Sequence, residues 1–575
     1  MRSFAEAGIA DVVLSPGSRS TPFLIAALRE SRFRCHDVID ERAAAFFALG
    51  QARWSGRPSL VLCTSGTAAA HYYPAIVEAS LARVPLVVVT ADRPFELQEC
   101  GAPQTIDQTK LYGGYVRQFF EAGMPDAALG SLRALQRMAA QASFAAQWPD
   151  PGPVHMNVRA RKPLEPRAPR TDEEKALART VRDMRPAVVA SAPRMHPDPG
   201  AIAAVIRQCR DAHAGLIVSG PMPIAGAQHM RRAVLRLAAA THFPLLAEVT
   251  SQLRLMPDES RQDASGSANE PLVCDAFHMM LEAKPFRETH VPDLIVQIGA
   301  NPTSASWERY ASLHGSTPRV VVAAHGWNDS LNTASTMLFG DVVEITNAIA
   351  SGIDARPHEA LHAWRRRFSD ANRLAQRTLD AELDLGTDPL TETRAVRGVL
   401  ARLPAQSVLM LGNSLPLRHV EALARRGEVD ARVACQRGAN GIDGLIAGTL
   451  GTAAASGRPT TLIVGDISFL HDLNSLMLGR AVAAPVVLVV LNNRGGRIFE
   501  QLPIATEARE HEVGPDELAH VTTPHALTFG PAAQMFGLPY HCVDSSRTLD
   551  AALASAYATQ VCTVIECNVP GEGVP

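Results

Sequence analysis

A chain of 575 residues is too long for one hydrophobic core, so two to four domains are expected. Its 55 basic and 58 acidic residues nearly cancel, which argues against general nucleic-acid binding, and its strong apolar runs are too short and punctuated to span a membrane. The nine cysteines include no CxxC and read as reduced, mostly buried thiols of a cytoplasmic protein, with neither zinc nor disulfides. The nineteen histidines show no metal-ligand spacing. Met1–Glu6 carries an acid and no apolar h-region, so no signal peptide is read.

In chain order, Ser15–Pro22 reads as a Gly- and Ser-rich turn after a strand and carries Arg19. Arg34–Ile39 leads through Asp40-Glu41-Arg42 into a helix over Ala43–Trp54. Glu41 thus lies at a strand-to-helix junction, where a carboxylate is favourable whatever else it does. A Pro-rich, charged stretch over Arg159–Arg170 reads as linker. Apolar runs at Ala214–Pro221, Phe243–Glu248, Asp293–Gly299 and Arg319–Ala323 read as parallel strands separated by helices. A helical stretch, His358–Leu385, follows, and then strands at Ser407–Leu411, Arg432–Cys435, Thr461–Val464, Pro485–Leu491 and Val561–Glu566. The expected fold is α/β with three doubly wound parallel-sheet domains: 1–158 with Glu41, a linker over 159–183, a middle domain over 184–353, a helical linker over 354–374, and a last domain over 375–575. No Gly-x-Gly-x-x-Gly follows a strand and no Walker A pattern occurs, so neither a nicotinamide site nor a P-loop is supported.

The last domain repeats part of the first. Gly56-Arg57-Pro58 and Gly457-Arg458-Pro459 each open a short apolar strand that stops at small polar residues, Thr64-Ser65-Gly66 and Gly465-Asp466. Each continues through a helix, 469–484 in the second copy, to a strand opening with Pro85 or Pro485. The first unit ends in Thr90-Ala91-Asp92-Arg93-Pro94, the second in Asn492-Asn493-Arg494-Gly495-Gly496. This is domain-level duplication. In the second copy an Asp and an Asn meet at the carboxyl edge of the sheet. Gly-Asp and Asn-Asn are ordinary turn formers, but hard oxygen donors beside glycines also suit Mg²⁺ on a diphosphate.

That pattern resembles the GD…NN signature of thiamine-diphosphate enzymes. The resemblance makes Asp466, Asn493 and the Gly495 carbonyl the ligands of Mg²⁺ (or Mn²⁺), with Ile467 standing where many members have Gly. The ordered set Ser15–Pro22, Asp40–Arg42, Thr64–Thr67, Thr90–Pro94, Cys100–Gln104, Gly412–Ser414, Gln436–Gly444 and Gly465–Asp466 resembles the 2-succinyl-5-enolpyruvyl-6-hydroxy-3-cyclohexene-1-carboxylate synthase family of the menaquinone pathway. It covers nearly the whole chain and is weakest in the middle. The resemblance implies decarboxylation of 2-oxoglutarate on thiamine diphosphate and addition of a succinyl carbanion equivalent to isochorismate. It makes Glu41 the cofactor-activating acid, a buried Glu whose pKa is raised by apolar neighbours so that it protonates the pyrimidine ring.

Asn413, Gly438, Ile442, Gly465, Asp466, Ile467, Ser468 and Asn493 fall at cofactor-binding positions, and Ile442 is the bulky support that bends the cofactor. Ser414, Arg418 and Arg437 fall where substrate carboxylates are held. Arg19, Arg93 and Gln104 line the isochorismate side, with Gln104 also a candidate for catalysis. Ile498 and Phe499 form the apolar wall. Arginine clamps suit two dicarboxylate substrates. The family builds its site across a homodimer, often doubled to a tetramer.

Three departures are expected. Asn301–Trp307 lacks the basic pair of some members. A first helix reads as truncated, and a final helix reads as missing. The alternatives are an acetolactate-synthase-like carboligase using pyruvate, which needs no cationic clamp, and a catalytically idle homologue that binds ligand or serves as a partner subunit.

Overall fold

The computed structural model describes residues 1–185, 188–255, 270–353, 359–384, 389–506 and 513–569. The first sheet holds Asp11–Leu14 (β1), Arg34–Asp37 (β2), Ser59–Cys63 (β3), Leu86–Asp92 (β4), Phe119–Glu121 (β5) and Pro153–Arg159 (β6), in the order β2-β1-β3-β4-β6-β5. The middle sheet holds Gly215–Ser219 (β7), Leu245–Ala247 (β8), Val273–Cys274 (β9), Leu294–Ile298 (β10), Arg319–Ala323 (β11) and Thr336–Phe339 (β12), in the order β12-β11-β10-β7-β8-β9. The third holds Ser407–Leu411 (β13), Ala431–Cys435 (β14), Thr460–Gly465 (β15), Val486–Asn492 (β16), Tyr540–Val543 (β17) and Cys562–Asn568 (β18), in the order β14-β13-β15-β16-β18-β17. The first and third sheets therefore share one strand order, position by position, as duplication requires, and the middle sheet has another. The strand pairs are parallel, and β3, β4, β15 and β16 are almost wholly buried, because helices cover both faces.

The two related domains meet through equivalent helices, Glu41–Ser55 after β2 and Leu445–Ser456 after β14. The first is capped by the Asp40 carboxylate on the N–H groups of Arg42 and Ala43, and ends at Gly56 in the left-handed conformation. Its Ala-rich face and the glycines of its partner let the backbones touch. A Cβ at Gly50 would overlap the Gly448 carbonyl oxygen, and one at Gly451 would overlap that of Phe47. Thr452 Oγ1 donates to Gly50 O at 3.2 Å, and Phe46 and Phe47 are buried in one core that runs through both domains. Each buried ring contributes about 1.5–3 kcal/mol.

Several elements differ from the sequence reading. The expected helix 469–484 is broken into Asp466–His471 and a 3₁₀ helix, Leu473–Arg480. The break falls at Asp472, whose buried carboxylate accepts the N–H groups of Ile446 and Ala447 at 2.7 and 3.0 Å and so caps a different helix. The expected linker 159–183 contains a helix, Asp172–Asp183, closed by a Thr171–Glu174 capping box. The helical stretch runs Glu359–Asp384, past the expected boundary at 374. Its expected ends, His358 and Leu385, lie outside the described residues, as do 570–575.

Strand β6 alternates apolar with polar side chains and was not legible as a buried strand. Its His155 and Asn157 are nevertheless buried, because Thr90 Oγ1 lies 2.7 Å from His155 Nε2 and donates to Asn157 Oδ1 at 3.0 Å. A short helix, Arg2–Glu6, precedes β1. Five cysteines are buried, Cys35 and Cys435 are half-buried, and Cys100 and Cys542 are exposed. Among the described residues no helix is long and apolar enough to cross a membrane.

Candidate active site

Parallel pairing of β15 with β16 sets Gly465 against Leu491, so the carboxyl ends of the two strands coincide. Asp466, at the start of its helix, and Asn493, just beyond β16, are both buried there. Asp466 Oδ1 accepts the Ile467 N–H at 2.7 Å, Oδ2 accepts the Gly495 N–H at 2.9 Å, and His525 Nε2 lies 3.2 Å from Oδ2. Burial pushes the Asp466 carboxyl above its ordinary range, and the backbone donors and His525 oppose that push. The Asn493 side-chain N–H donates to Glu392 Oε1 at 2.7 Å, and Asn493 Oδ1 is a buried acceptor with no partner among the described residues. A buried carboxylate and an unsatisfied amide oxygen on adjoining strand ends form a hard-oxygen set that fits a divalent cation. A Cβ on Gly465 would meet nothing within 4 Å, so the backbone beside this corner is open.

Around this corner Asn413 organises the loop after β14. Its Nδ2 donates to the carbonyls of Gln436 and Gly441 at 3.0 and 2.7 Å, and its Oδ1 accepts from Arg437 at 3.1 Å. Ser414 sits at φ +75°, a strained conformation for a residue with a side chain, and begins the helix Leu415–Leu423. Arg418 Nη1 donates to the Ser414 carbonyl at 3.1 Å. The Arg418 side chain retains solvent exposure, yet its charge is disfavoured first by lost water and then by Arg437.

A second arginine pair stands in the first domain. Arg19 is buried, donates to the Ala160 carbonyl at 2.6 Å, and has its pKa lowered by burial and then by Arg93. Arg93 donates to the Pro103 carbonyl at 2.8 Å and to that of Gln104 at 3.5 Å, which draws Arg19, Arg93 and Gln104 together. The neighbouring Asp92 is committed to Arg159 at 3.0 Å. Among the described residues none of Arg19, Arg93, Arg418 and Arg437 forms an ion pair with a carboxylate. Each pair sets like charges side by side; Asp92 partly offsets this at Arg19 and the buried Glu248 at Arg437, and a bound anion would offset the rest.

The other expected positions divide. Ile442 is half-buried in the turn before Leu445–Ser456, Ser468 is buried in the Asp466 helix, and Ile467 is half-buried beside it. Ile498 is half-buried and Phe499 exposed on the 3₁₀ turn Arg497–Gln501. The Gly438 N–H is taken by Glu78 Oε1 at 3.0 Å. Glu41 is half-buried in the single chain, where a buried carboxyl was expected, and its side chain makes no hydrogen bond or ion pair among the described residues. Among the described residues no hydrogen bond or ion pair joins it to Asp466 or Asn493. Its neighbour Arg42 donates to the His471 carbonyl at 3.0 Å.

Sequence reasoning missed Glu392, His419, His525 and Glu78. Glu392 is buried, with His419 Nε2 2.9 Å from its Oε2, and His525 comes from a loop that carries no motif. Glu566 was read only as the end of a strand, but it accepts from Asn492 at 2.7 Å, from Phe529 N at 2.8 Å and from Tyr540 at 2.7 Å. An acid ending a buried apolar strand was the available signal.

Residues 1–111 match the thiamine pyrophosphate enzyme N-terminal TPP binding domain, and residues 437–567 match the C-terminal TPP binding domain. The fold is that of a benzoylformate decarboxylase from Polynucleobacter necessarius (TM-score 0.72, 16% identity, 100% of this chain and 98% of that one). A thiamin diphosphate-dependent enzyme from Mycobacterium smegmatis superposes similarly (TM-score 0.68, 18% identity, 99% and 98%). Fold, duplicated domains and the Asp466–Asn493 corner define a thiamine pyrophosphate enzyme.

Closer relatives carry a more particular name. The chain is 45% identical to a 2-succinyl-5-enolpyruvyl-6-hydroxy-3-cyclohexene-1-carboxylate synthase of Sorangium cellulosum, covering 99% of this chain and 92% of the relative. It is 36% identical to those of Bacillus pumilus (94% and 88%) and Haloarcula marismortui (97% and 92%). The chain belongs to this synthase family.

Proposed function

We propose that the chain decarboxylates 2-oxoglutarate and joins the remaining four-carbon unit to isochorismate, giving 2-succinyl-5-enolpyruvyl-6-hydroxy-3-cyclohexene-1-carboxylate and CO₂ in the cytoplasm. Bound thiamine diphosphate supplies the electron sink for loss of CO₂. Asp466, Asn493 and the Gly495 carbonyl would hold Mg²⁺ (or Mn²⁺) on its diphosphate, and Gly438, Ile442, Ile467 and Ser468 would flank it. Glu41 would supply the proton to the aminopyrimidine ring. Arg418 and Arg437, with Ser414, bind substrate carboxylates. Arg19, Arg93 and Gln104 orient the acceptor, while Ile498 and Phe499 exclude water.

The observation that supports this reading is the presence of two arginine pairs, Arg19 with Arg93 and Arg418 with Arg437, that form no direct ion pair with a carboxylate among the described residues. Both proposed substrates are dicarboxylates. A pyruvate-using carboligase would gain nothing from such clamps. The test is product analysis after incubation with 2-oxoglutarate, isochorismate, thiamine diphosphate and Mg²⁺. The expected outcome is CO₂ and the joined product, with little CO₂ from pyruvate; pyruvate turnover without 2-oxoglutarate turnover would refute the assignment.

The same reading places the site between two copies of the chain, as a homodimer or homotetramer. Ile39 is 73% exposed two residues before Glu41, and Leu470 is 38% exposed on the Asp466 helix. Apolar side chains thus lie bare beside both half-sites, where a second copy would cover them.

A further inference from the structure

The loop that carries Arg437 is held by an acid from another domain. Glu78, on the helix Tyr73–Leu81 of the first domain, is 3% exposed. Its Oε1 accepts the Gly438 N–H and an Arg53 N–H, each at 3.0 Å, and its Oε2 accepts the Ala439 N–H at 2.7 Å. Both carboxylate oxygens are therefore engaged with consecutive backbone donors directly after Arg437, and one is neutralised by a half-buried guanidinium. On the other side of the loop, Asn413 accepts from Arg437 and grips the Gln436 and Gly441 carbonyls. The loop has little freedom left, and the guanidinium of Arg437 is aimed before any ligand arrives.

We infer that Glu78 is a positioning residue: it fixes the 438–439 backbone so that Arg437 meets a substrate carboxylate without a further ordering cost. The inference rests on the proposed carboxylate-binding role of Arg437. Charge is needed as well as shape. A glutamine can accept one of the two loop N–H groups, but it would turn an NH₂ toward the other and leave a buried donor unpaired. The contribution is preorganisation, so it appears in binding more than in the chemical step.

The test compares Glu78→Gln with Arg437→Ala in the full-length holoenzyme, measuring kcat and the KM of each substrate together with the melting temperature. Arg437→Ala identifies which KM the guanidinium serves. Glu78→Gln is expected to raise that same KM about tenfold, the worth of one charge-assisted hydrogen bond, with the other substrate's KM and kcat within about threefold of wild type. Combining the two changes is expected to add little to the effect of Arg437→Ala on that KM, because the two residues act through one contact.

A merely structural role would lower the melting temperature or the active fraction while leaving KM unchanged, and that result overturns the inference. If Glu78→Gln does not fold, Glu78→Asp keeps the charge beside Arg53 but falls short of the loop, and the same readout applies. If Arg437→Ala leaves both KM values unchanged, the reading of Arg437 has failed. If it raises one and the Glu78 variants do not, only the positioning role has failed.

Discussion

Glu392 Oε1 accepts the side-chain N–H of Asn493 at 2.7 Å, and its Oε2 lies 2.9 Å from His419 Nε2, so one buried carboxylate fixes the amide and leaves Asn493 Oδ1 unsatisfied. Partners that orient a ligand side chain typically contribute ~10- to 100-fold in metal affinity. Glu392→Ala is therefore expected to raise the Mg²⁺ concentration for half-maximal activity by about that factor. Titration of activity at saturating thiamine diphosphate checks it, and an unchanged midpoint would remove Glu392 from the account.

Lost water and then the neighbouring Arg437 disfavour the charge of Arg418, and a bound carboxylate would relieve it. Replacing Arg418 with Met keeps the apolar stem and removes the charge. Loss of a charge-assisted pair of about 1.5–3 kcal/mol corresponds to about a 10- to 150-fold rise in KM for one substrate. Steady-state kinetics with each substrate varied in turn would show it, and a fall in kcat alone would contradict it.

Burial pushes the Asp472 carboxyl up to about 6 from 3.8, against the opposing bonds from Ser475 and the backbone and the field of Arg42. The folded protein then binds this proton more tightly than the unfolded chain, so stability falls as pH rises from about 4 to about 6 and stays reduced above that. An asparagine can satisfy Ile446, Ala447 and Ser475 without the charge. Asp472→Asn is expected to raise the melting temperature at about pH 8, with the difference narrowing toward about pH 5. Calorimetry at the two pH values tests this; a gain independent of pH would assign the effect to packing.

The contact between Gly451 and the Phe47 carbonyl leaves no room for a methyl group. Gly451→Ala is expected to cost about 1–3 kcal/mol through overpacking of the paired helices. A lower denaturation midpoint would register it, whereas no change would mean that the two domains separate easily.

The duplicated strand units were legible because two parallel, buried strands need continuous apolar runs, and those runs end at Asp466 and Asn493. Arg19, Arg93 and Gln104 were legible as a group only through the ordered motifs. Glu392, His525 and Glu78 were not, because each reaches the site from a separate segment and no local pattern records that convergence. The break at Asp472 was hidden for the same reason: the apolar spacing of 469–484 is helical, but the carboxylate is needed as the cap of Leu445–Ser456. Likewise the polar alternation of Pro153–Arg159 disguised a buried strand whose His155 and Asn157 find partners across the sheet.

The central claim is that Glu41 of one copy completes the Asp466–Asn493 corner of another. It is tested most directly by mixing two variants that are each inactive alone, Glu41→Gln and Asp466→Ala, after dissociation and reassembly. In a mixed dimer one of the two sites would receive an intact Glu41 and an intact Asp466 from different chains, so about a quarter of wild-type activity is expected to return. A mixture that reassembles and stays inactive would mean that both groups serve a site within one chain, and would contradict the account.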